Sequence, residues 1–149
     1  MSITYRELRY HEFTQALRIR LEVFVEEQKV PLEEEHDSWD LTAQHFGVFA
    51  EDALVGTGRL VTCGKRGIIG RVAVLQGFRG LGLGSGLIRL MVTKAQEAGL
   101  DEISLGAQVR AEGFYERLGF RGEGPEFLDA GIPHRAMHYH FVHSEGIES

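Results

Sequence analysis

Between Arg71 and Gly86 an apolar run, Arg71-Val72-Ala73-Val74-Leu75, gives way to Gln76-Gly77-Phe78-Arg79-Gly80-Leu81-Gly82-Leu83-Gly84-Ser85-Gly86. The pattern reads as a strand, a glycine-rich turn and the start of a helix. Glycine lets the backbone bend sharply and come close to a ligand. A helix start offers unpaired N–H groups and a positive dipole end. Together they suit a phosphate or pyrophosphate, to which Arg79 could add a charge-assisted bond. Glycine inside a helix costs about 1 kcal/mol relative to alanine, and backbone contact with a ligand would offset that.

The spacing narrows the ligand. Dinucleotide folds use G-x-G-x-x-G after the first strand, and here G-x-G-x-G-x-G follows at least three strands. A Walker A loop ends in Gly-Lys-Ser/Thr, and Gly84-Ser85-Gly86 lacks the lysine. A bare structural turn is the remaining alternative.

The strand–turn–helix unit also constrains the fold. The spacing predicts strands over 3–8, 46–50, 54–61, 68–75, 102–105, 121–127 and 136–142. It predicts helices over 13–25, 82–98 and 111–118, with Gly99 ending the second. Leu87, Leu90, Met91, Ala95 and Ala98 are expected on one face of that helix. The strand from Ile68, the helix from Gly82 and the strand from Glu102 form a right-handed crossover with parallel strands. The class is α/β with mixed α+β character, built on a central mixed sheet. With 149 residues, no repeat and no linker, the chain reads as a single domain.

Composition excludes several functions. A net charge of −6 argues against a nucleic-acid surface and fits a small or cationic partner. No apolar run approaches the ~20 residues of a membrane span, and the first ten residues carry no signal core. The lone Cys63 cannot form an internal disulfide and reads as a small strand thiol. These features point to a cytoplasmic protein. His138 and His140 share a strand face, and with His134 or His143 they have the ligand types of a metal site. Alternating histidines on an exposed face are commoner, and no metal is expected.

Arg79-Gly-Leu-Gly82-Leu-Gly84 resembles the R/Q-x-x-G-x-G/A coenzyme A signature of the GNAT N-acetyltransferases. Ala111-Glu-Gly-Phe114-Tyr115-Glu-Arg-Leu-Gly119-Phe120 resembles the family's A-x-x-F-Y-x-x-x-G-F helix and strand. Arg20 to Asp40 and Gly131-Ile-Pro-His134 resemble the ElaA-like branch. The resemblance covers nearly the whole chain. It implies a mostly antiparallel sheet with splayed parallel strands, flanked by helices, and an acyltransferase that takes acetyl-coenzyme A as co-substrate.

The resemblance also assigns a site. The first splayed strand would carry a bulge, and Val72, Ala73 and Val74 would pair with the pantetheine arm. The N–H groups from Arg79 through Gly80, Leu81, Gly82, Leu83 and Gly84 to Ser85 would hold the pyrophosphate. Gln108 stands near a position where relatives place an asparagine that bonds the cofactor. Tyr115 would face the departing sulfur. A phenol of pKa ~10 is a weaker acid than a thiol of pKa ~8.5, so full proton transfer is uphill by roughly 2 kcal/mol. Tyr115 is therefore expected to donate a hydrogen bond to the developing thiolate.

The acceptor would be an amine. Seven acidic residues between Glu26 and Asp40 form either a rim that attracts a cationic amine or a solvated face. Glu26, Glu27, His45 and His134 are candidates for the base, beside a water chain. Many relatives pair as homodimers. The rival readings are a non-catalytic acyl-coenzyme A sensor, a nucleotide-binding protein, and an acyl-homoserine-lactone synthase, whose N-terminal half the branch also resembles.

Overall fold

The computed structural model describes residues 1–142. In chain order these form β1 (Ile3–Glu7), α1 (Phe13–Arg20), α2 (Leu32–Glu35), β2 (Gln44–Ala50), β3 (Ala53–Cys63) and β4 (Arg66–Val74). There follow α3 (Leu83–Glu97), β5 (Glu102–Gln108), α4 (Glu112–Arg117), β6 (Arg121–Asp129) and β7 (Ile132–His140). The strands pair in the order β1-β2-β3-β4-β5-β7-β6. β4 and β5 run parallel, while β1–β2, β2–β3, β5–β7 and β6–β7 run antiparallel. This is the mixed, mostly antiparallel sheet that the sequence implied. No helix among the described residues is long and apolar enough to cross a membrane.

The chain divides into two compact units, Met1–Val61 with Ile69–Met91, and Thr62–Ile68 with the chain from Val92. In the first, β3 is buried continuously from Val55 to Val61, so both of its faces are covered. Its glycines make room for neighbours. A Cβ on Gly56 would stand 2.7 Å from Val48 Cγ1 and 3.1 Å from the Ala73 carbonyl oxygen, and one on Gly58 would meet Met91. Leu8, Ala16 and Phe49 form one apolar cluster, and Ile19, Val23 and Ala73 another.

The helix expected over 13–25 changes character partway. After Arg20 it widens into a π-helical segment, Leu21–Glu27, where the Gln28 N–H bonds the Val23 carbonyl at 3.1 Å. The β-branched Val23 and Val25 give regular α-geometry little support there. α2 and a 3-10 turn at Ser38–Leu41 lie in the acidic stretch, where no apolar periodicity is legible.

In the second unit, β5 alternates, burying Ile103, Leu105 and Ala107. β6 is exposed along its whole length, as befits the strand at the edge. Gly99, with φ of 78°, closes α3. The buried residues of α3 are Leu83, Leu87, Ile88, Met91 and Ala95, whereas the expected Ala98 is exposed. Its N–H still bonds the Lys94 carbonyl at 3.0 Å, so the helical turn is intact and only the side chain lies off the buried stripe. Cys63 ends β3 and is exposed.

The close approach at Gly56 is testable. Gly56→Ala is expected to lower the urea midpoint, at a cost of about 1–3 kcal/mol for overpacking. Gly77→Ala is the control, since a Cβ there meets nothing within 4 Å. Its effect should stay within about 0.5 kcal/mol. Equal midpoints for the two variants would contradict the packing argument.

Candidate active site

β4 leads into the glycine turn and breaks its own pattern midway. Its ladder with β5 pairs Arg66, Gly67 and Ile68 with Glu102, Ile103 and Ser104, and ends there. Three residues on, Arg71 has a φ of 52°, a left-handed conformation uncommon for a residue with a side chain. It falls in the strand on which the resemblance places a bulge. Beyond it, Ala73 is buried against Ile19 and Val23. Val72 lies beside Gly58 and Val74 beside Gly56.

The glycines of the turn serve different purposes. Gly80 and Gly82 have φ of 80° and 77°, which a side chain would strain. A Cβ on Gly80, Gly82 or Gly84 meets nothing within 4 Å, so the surface above this backbone is open. Gly86 differs, because a Cβ there would fall on the ring of Tyr5. The fourth glycine is therefore a packing residue. The Gly86 N–H bonds the Gly82 carbonyl at 3.1 Å. The N–H groups just before it stand in the first turn of a 15-residue helix, where no intrahelical carbonyl is in reach. Leu81 is exposed, Leu83 buried and Ser85 half-buried. Arg79 donates from Nε to the Val74 carbonyl at 2.9 Å and from Nη2 to Glu27 Oε2 at 2.8 Å. Two candidates from distant parts of the sequence are thus brought together as an ion pair.

The acidic stretch is largely engaged by arginines. Arg20, only 1% exposed, donates from Nε to Glu35 Oε2 at 2.7 Å. Its Nη1 and Nη2 reach Asp40 Oδ1 and Oδ2, both at 2.9 Å. Arg59 bonds Asp37 at 2.7 and 2.9 Å and Asp40 at 2.8 Å. Arg71 donates to the carbonyls of Glu34 and Glu35 at 3.1 and 3.0 Å and to Asp37 Oδ2 at 3.2 Å. Three guanidiniums thus face three carboxylates. Of the seven acids, Glu27, Glu35, Asp37 and Asp40 are taken up in ion pairs, and the exposed Glu26, Glu33 and Glu34 remain as rim. Sequence reasoning missed this network. Its signal was a lone arginine inside each of two apolar strands, Arg59 and Arg71.

His45 sits at the edge of the network. Its Nε2 lies 3.1 Å from the Asp40 carbonyl, and its ring stands 4.4 Å from that of Phe13. A carbonyl only accepts, so Nε2 carries the proton. Burial depresses the imidazole pKa and favours the neutral form, whose Nδ1 keeps a lone pair. That is the form a base requires.

Tyr115, Gln108 and His134 belong to the second unit. Tyr115 meets Phe114 and Phe120 edge to face, with ring centres 5.0 and 6.2 Å apart. Burial pushes its phenol pKa up, so at neutral pH it holds its proton. Gln108 ends β5 and accepts from Arg110 Nε at 2.9 Å. His134 Nδ1 lies 2.7 Å from the Ile132 carbonyl, and its ring stacks on Phe127. His138 and His140 flank Glu102, their nearest contacts to its Oε2 being 3.8 and 3.3 Å. Among the described residues no group of His, Cys, Asp and Glu is arranged to hold a metal. His143 lies outside the described residues.

Comparison with known proteins gives the same picture. The family described as "Acetyltransferase (GNAT) domain" matches residues 7–141. The uncharacterized N-acetyltransferase YjcF of Bacillus subtilis is 38% identical over 123 residues, 82% of this chain and 88% of that one. An acyl-CoA N-acyltransferase from Pseudomonas aeruginosa is similar at 31% identity and a TM-score of 0.82, covering 93% of this chain and 98% of that chain. ElaA of Escherichia coli superposes with a TM-score of 0.83 at 28% identity, covering 93% and 99%. The expected family and its ElaA-like branch are both borne out.

The network makes stability depend on pH in a defined direction. Burial alone would raise the Asp40 carboxyl, but Arg20 and Arg59 outweigh it and bring its pKa from 3.8 down to about 2. Arg59 likewise lowers Asp37. A depressed carboxyl contributes stability in full above its unfolded value and loses it as pH falls through its folded one. Unfolding free energy is therefore expected to fall by on the order of 2 kcal/mol between about pH 4 and pH 2. Urea denaturation across that range checks it, and a flat profile would contradict the ionised network.

Proposed function

Because this chain belongs to the GNAT acetyltransferase family, we propose that it moves an acetyl group from acetyl-coenzyme A to a primary amine by direct attack on the thioester. The observation that carries this reading is the continuous stretch from Arg71 to Ser85. It combines a left-handed break, a ladder that has already ended, and an open glycine turn at a helix N-terminus. Val72, Ala73 and Val74 would offer backbone groups to the pantetheine arm. The N–H groups of Gly80 to Ser85 would hold the pyrophosphate, with Arg79 beside them. Gln108 would bond the cofactor from β5. One domain carries the whole reaction in this reading.

The chemistry needs three services. The amine must lose a proton, the carbonyl must be polarised, and the thiolate must be stabilised as it leaves. Tyr115 fits the third. Its raised pKa keeps the phenol protonated, and among the described residues nothing bonds its hydroxyl, so the O–H is free to donate. For the first service, His45 has a neutral ring and a fixed tautomer, whereas Glu27 is committed to Arg79. Glu26, His134 and water remain the other candidates. The exposed Glu26, Glu33 and Glu34 favour a cationic acceptor.

Thermal unfolding with acetyl-coenzyme A, and with NAD and ATP as controls, tests the reading. At a hundred times its dissociation constant a ligand adds roughly 2.7 kcal/mol. For a chain of this size the midpoint should rise by roughly 5–10 °C. A shift with NAD or ATP but none with acetyl-coenzyme A would refute it. Tyr115→Phe should retain the shift while turnover falls by roughly 10- to 100-fold. Unchanged turnover would remove Tyr115 from the mechanism.

A further inference from the structure

Arg71 combines two features that rarely meet. It adopts a conformation in which glycine would be comfortable, with φ of 52°, and yet it carries a long charged side chain. That side chain is held through two of its three nitrogens. Nε donates to the Glu35 carbonyl at 3.0 Å and approaches Glu35 Oε2 at 3.3 Å. Nη2 donates to the Glu34 carbonyl at 3.1 Å and to Asp37 Oδ2 at 3.2 Å. The partners are themselves held. Asp37 is gripped by Arg59 through both oxygens, and Glu35 by the buried Arg20. The Asp37 Oδ1 also accepts the Trp39 N–H at 3.1 Å, which fixes the turn that follows.

An unfavoured backbone conformation persists only where its surroundings over-determine it. Here the surroundings are segment 34–37, and the strained residue lies immediately before Val72. We propose that Arg71 is a positioning residue whose tie to Glu34, Glu35 and Asp37 holds the left-handed break in β4, so that the carboxylate of Asp37 sets the affinity for acyl-coenzyme A. The proposal rests on the reading of Val72 to Val74 as the cofactor strand. Its content beyond that reading is that the acidic segment and the cofactor strand act as one element. A change in the segment is then felt in cofactor binding.

Three variants separate this from a merely stabilising ion pair. Arg71→Ala removes the tie and leaves the strain. Arg71→Gly removes the tie and the strain together, because glycine accepts φ of 52° freely. Asp37→Asn keeps the amide oxygen that caps Trp39 and loses the charge. A merely stabilising ion pair predicts that both variants lose stability while the folded enzymes keep the wild-type KM for acetyl-coenzyme A. Positioning predicts an order in that KM. For Arg71→Ala the KM for acetyl-coenzyme A should rise about tenfold, with kcat changed less. Arg71→Gly should recover most of that loss, and Asp37→Asn should raise the same KM severalfold while the KM for the amine moves less. Cofactor dissociation constants, measured by titration on the folded variants, should follow the same order.

Wild-type binding of acetyl-coenzyme A is measured alongside. Its absence would overturn the cofactor reading and this proposal with it. With wild-type binding intact, equal effects of alanine and glycine, or an unchanged KM in both, would overturn the proposal and leave the reading standing. Should Arg71→Ala fail to fold, a folded Asp37→Asn with wild-type affinity for acetyl-coenzyme A would overturn it equally.

Discussion

The first unit depends on the burial of Arg20. Taking a guanidinium and two carboxylates out of water costs several kcal/mol per ion, and only near-ideal geometry recovers it. Arg20 meets that demand with a bidentate grip on Asp40 and a single bond to Glu35, all within 2.9 Å. Arg59 then shares Asp40 and adds Asp37, and Arg71 closes the chain back to Asp37 and Glu35. Charges balance at three against three. Removing the buried Arg20 would leave Glu35 and Asp40 short of a partner, at a cost of roughly 3–5 kcal/mol. The six residues therefore behave as a unit, and they tie the end of α1, the segment 34–40, β3 and β4 together.

That arrangement explains an otherwise puzzling stretch of chain. Residues 31–41 contain one turn of α-helix and one 3-10 turn, neither long enough to be stable alone. Local propensity does not order this segment, and it carries little apolar surface to bury. The arginines supply the order instead. Side-chain ion pairs with buried partners do here what an apolar stripe does for α3. The same logic accounts for Arg71, where a left-handed residue with a side chain survives because the side chain is fixed at its far end.

Much of the fold could be read in advance because it follows from periodicity. β3 announced itself as an unbroken apolar run, α3 as a repeat ended by Gly99, and β5 as alternation. The glycine turn was also legible, although Gly86 proved to be shaped by Tyr5 and not by a ligand. The missing parts share one cause. α2 and the ion network depend on contacts between residues 15 to 37 positions apart, and a window of local sequence holds no trace of such pairs. Acidic residues in a row look alike whether they face water or an arginine. Only the complementary oddity, a charged residue inside an apolar strand, betrays their partners. Arg59 and Arg71 were that oddity. For the site, Tyr115 and the turn were recognisable as motifs, whereas the commitment of Glu27 to Arg79 was not.

The chemistry proposed for Tyr115 follows from the same competition between burial and charge, resolved the other way. Among the described residues no cation shifts its phenol toward the ionised form, and burial in aromatic surroundings raises its pKa. Phe120, which packs on Tyr115, is in turn packed on Tyr139, so the ring is held from more than one side. A phenol held in this way is a poor source of a full proton but a well-placed dipole. A leaving thiolate needs charge stabilisation most while its bond to carbon is breaking. A fixed O–H supplies that without giving up its proton, and the thiolate can then take a proton from solvent after it leaves. Arginines keep Asp37 and Asp40 of the first unit ionised, and burial keeps the phenol of the second neutral.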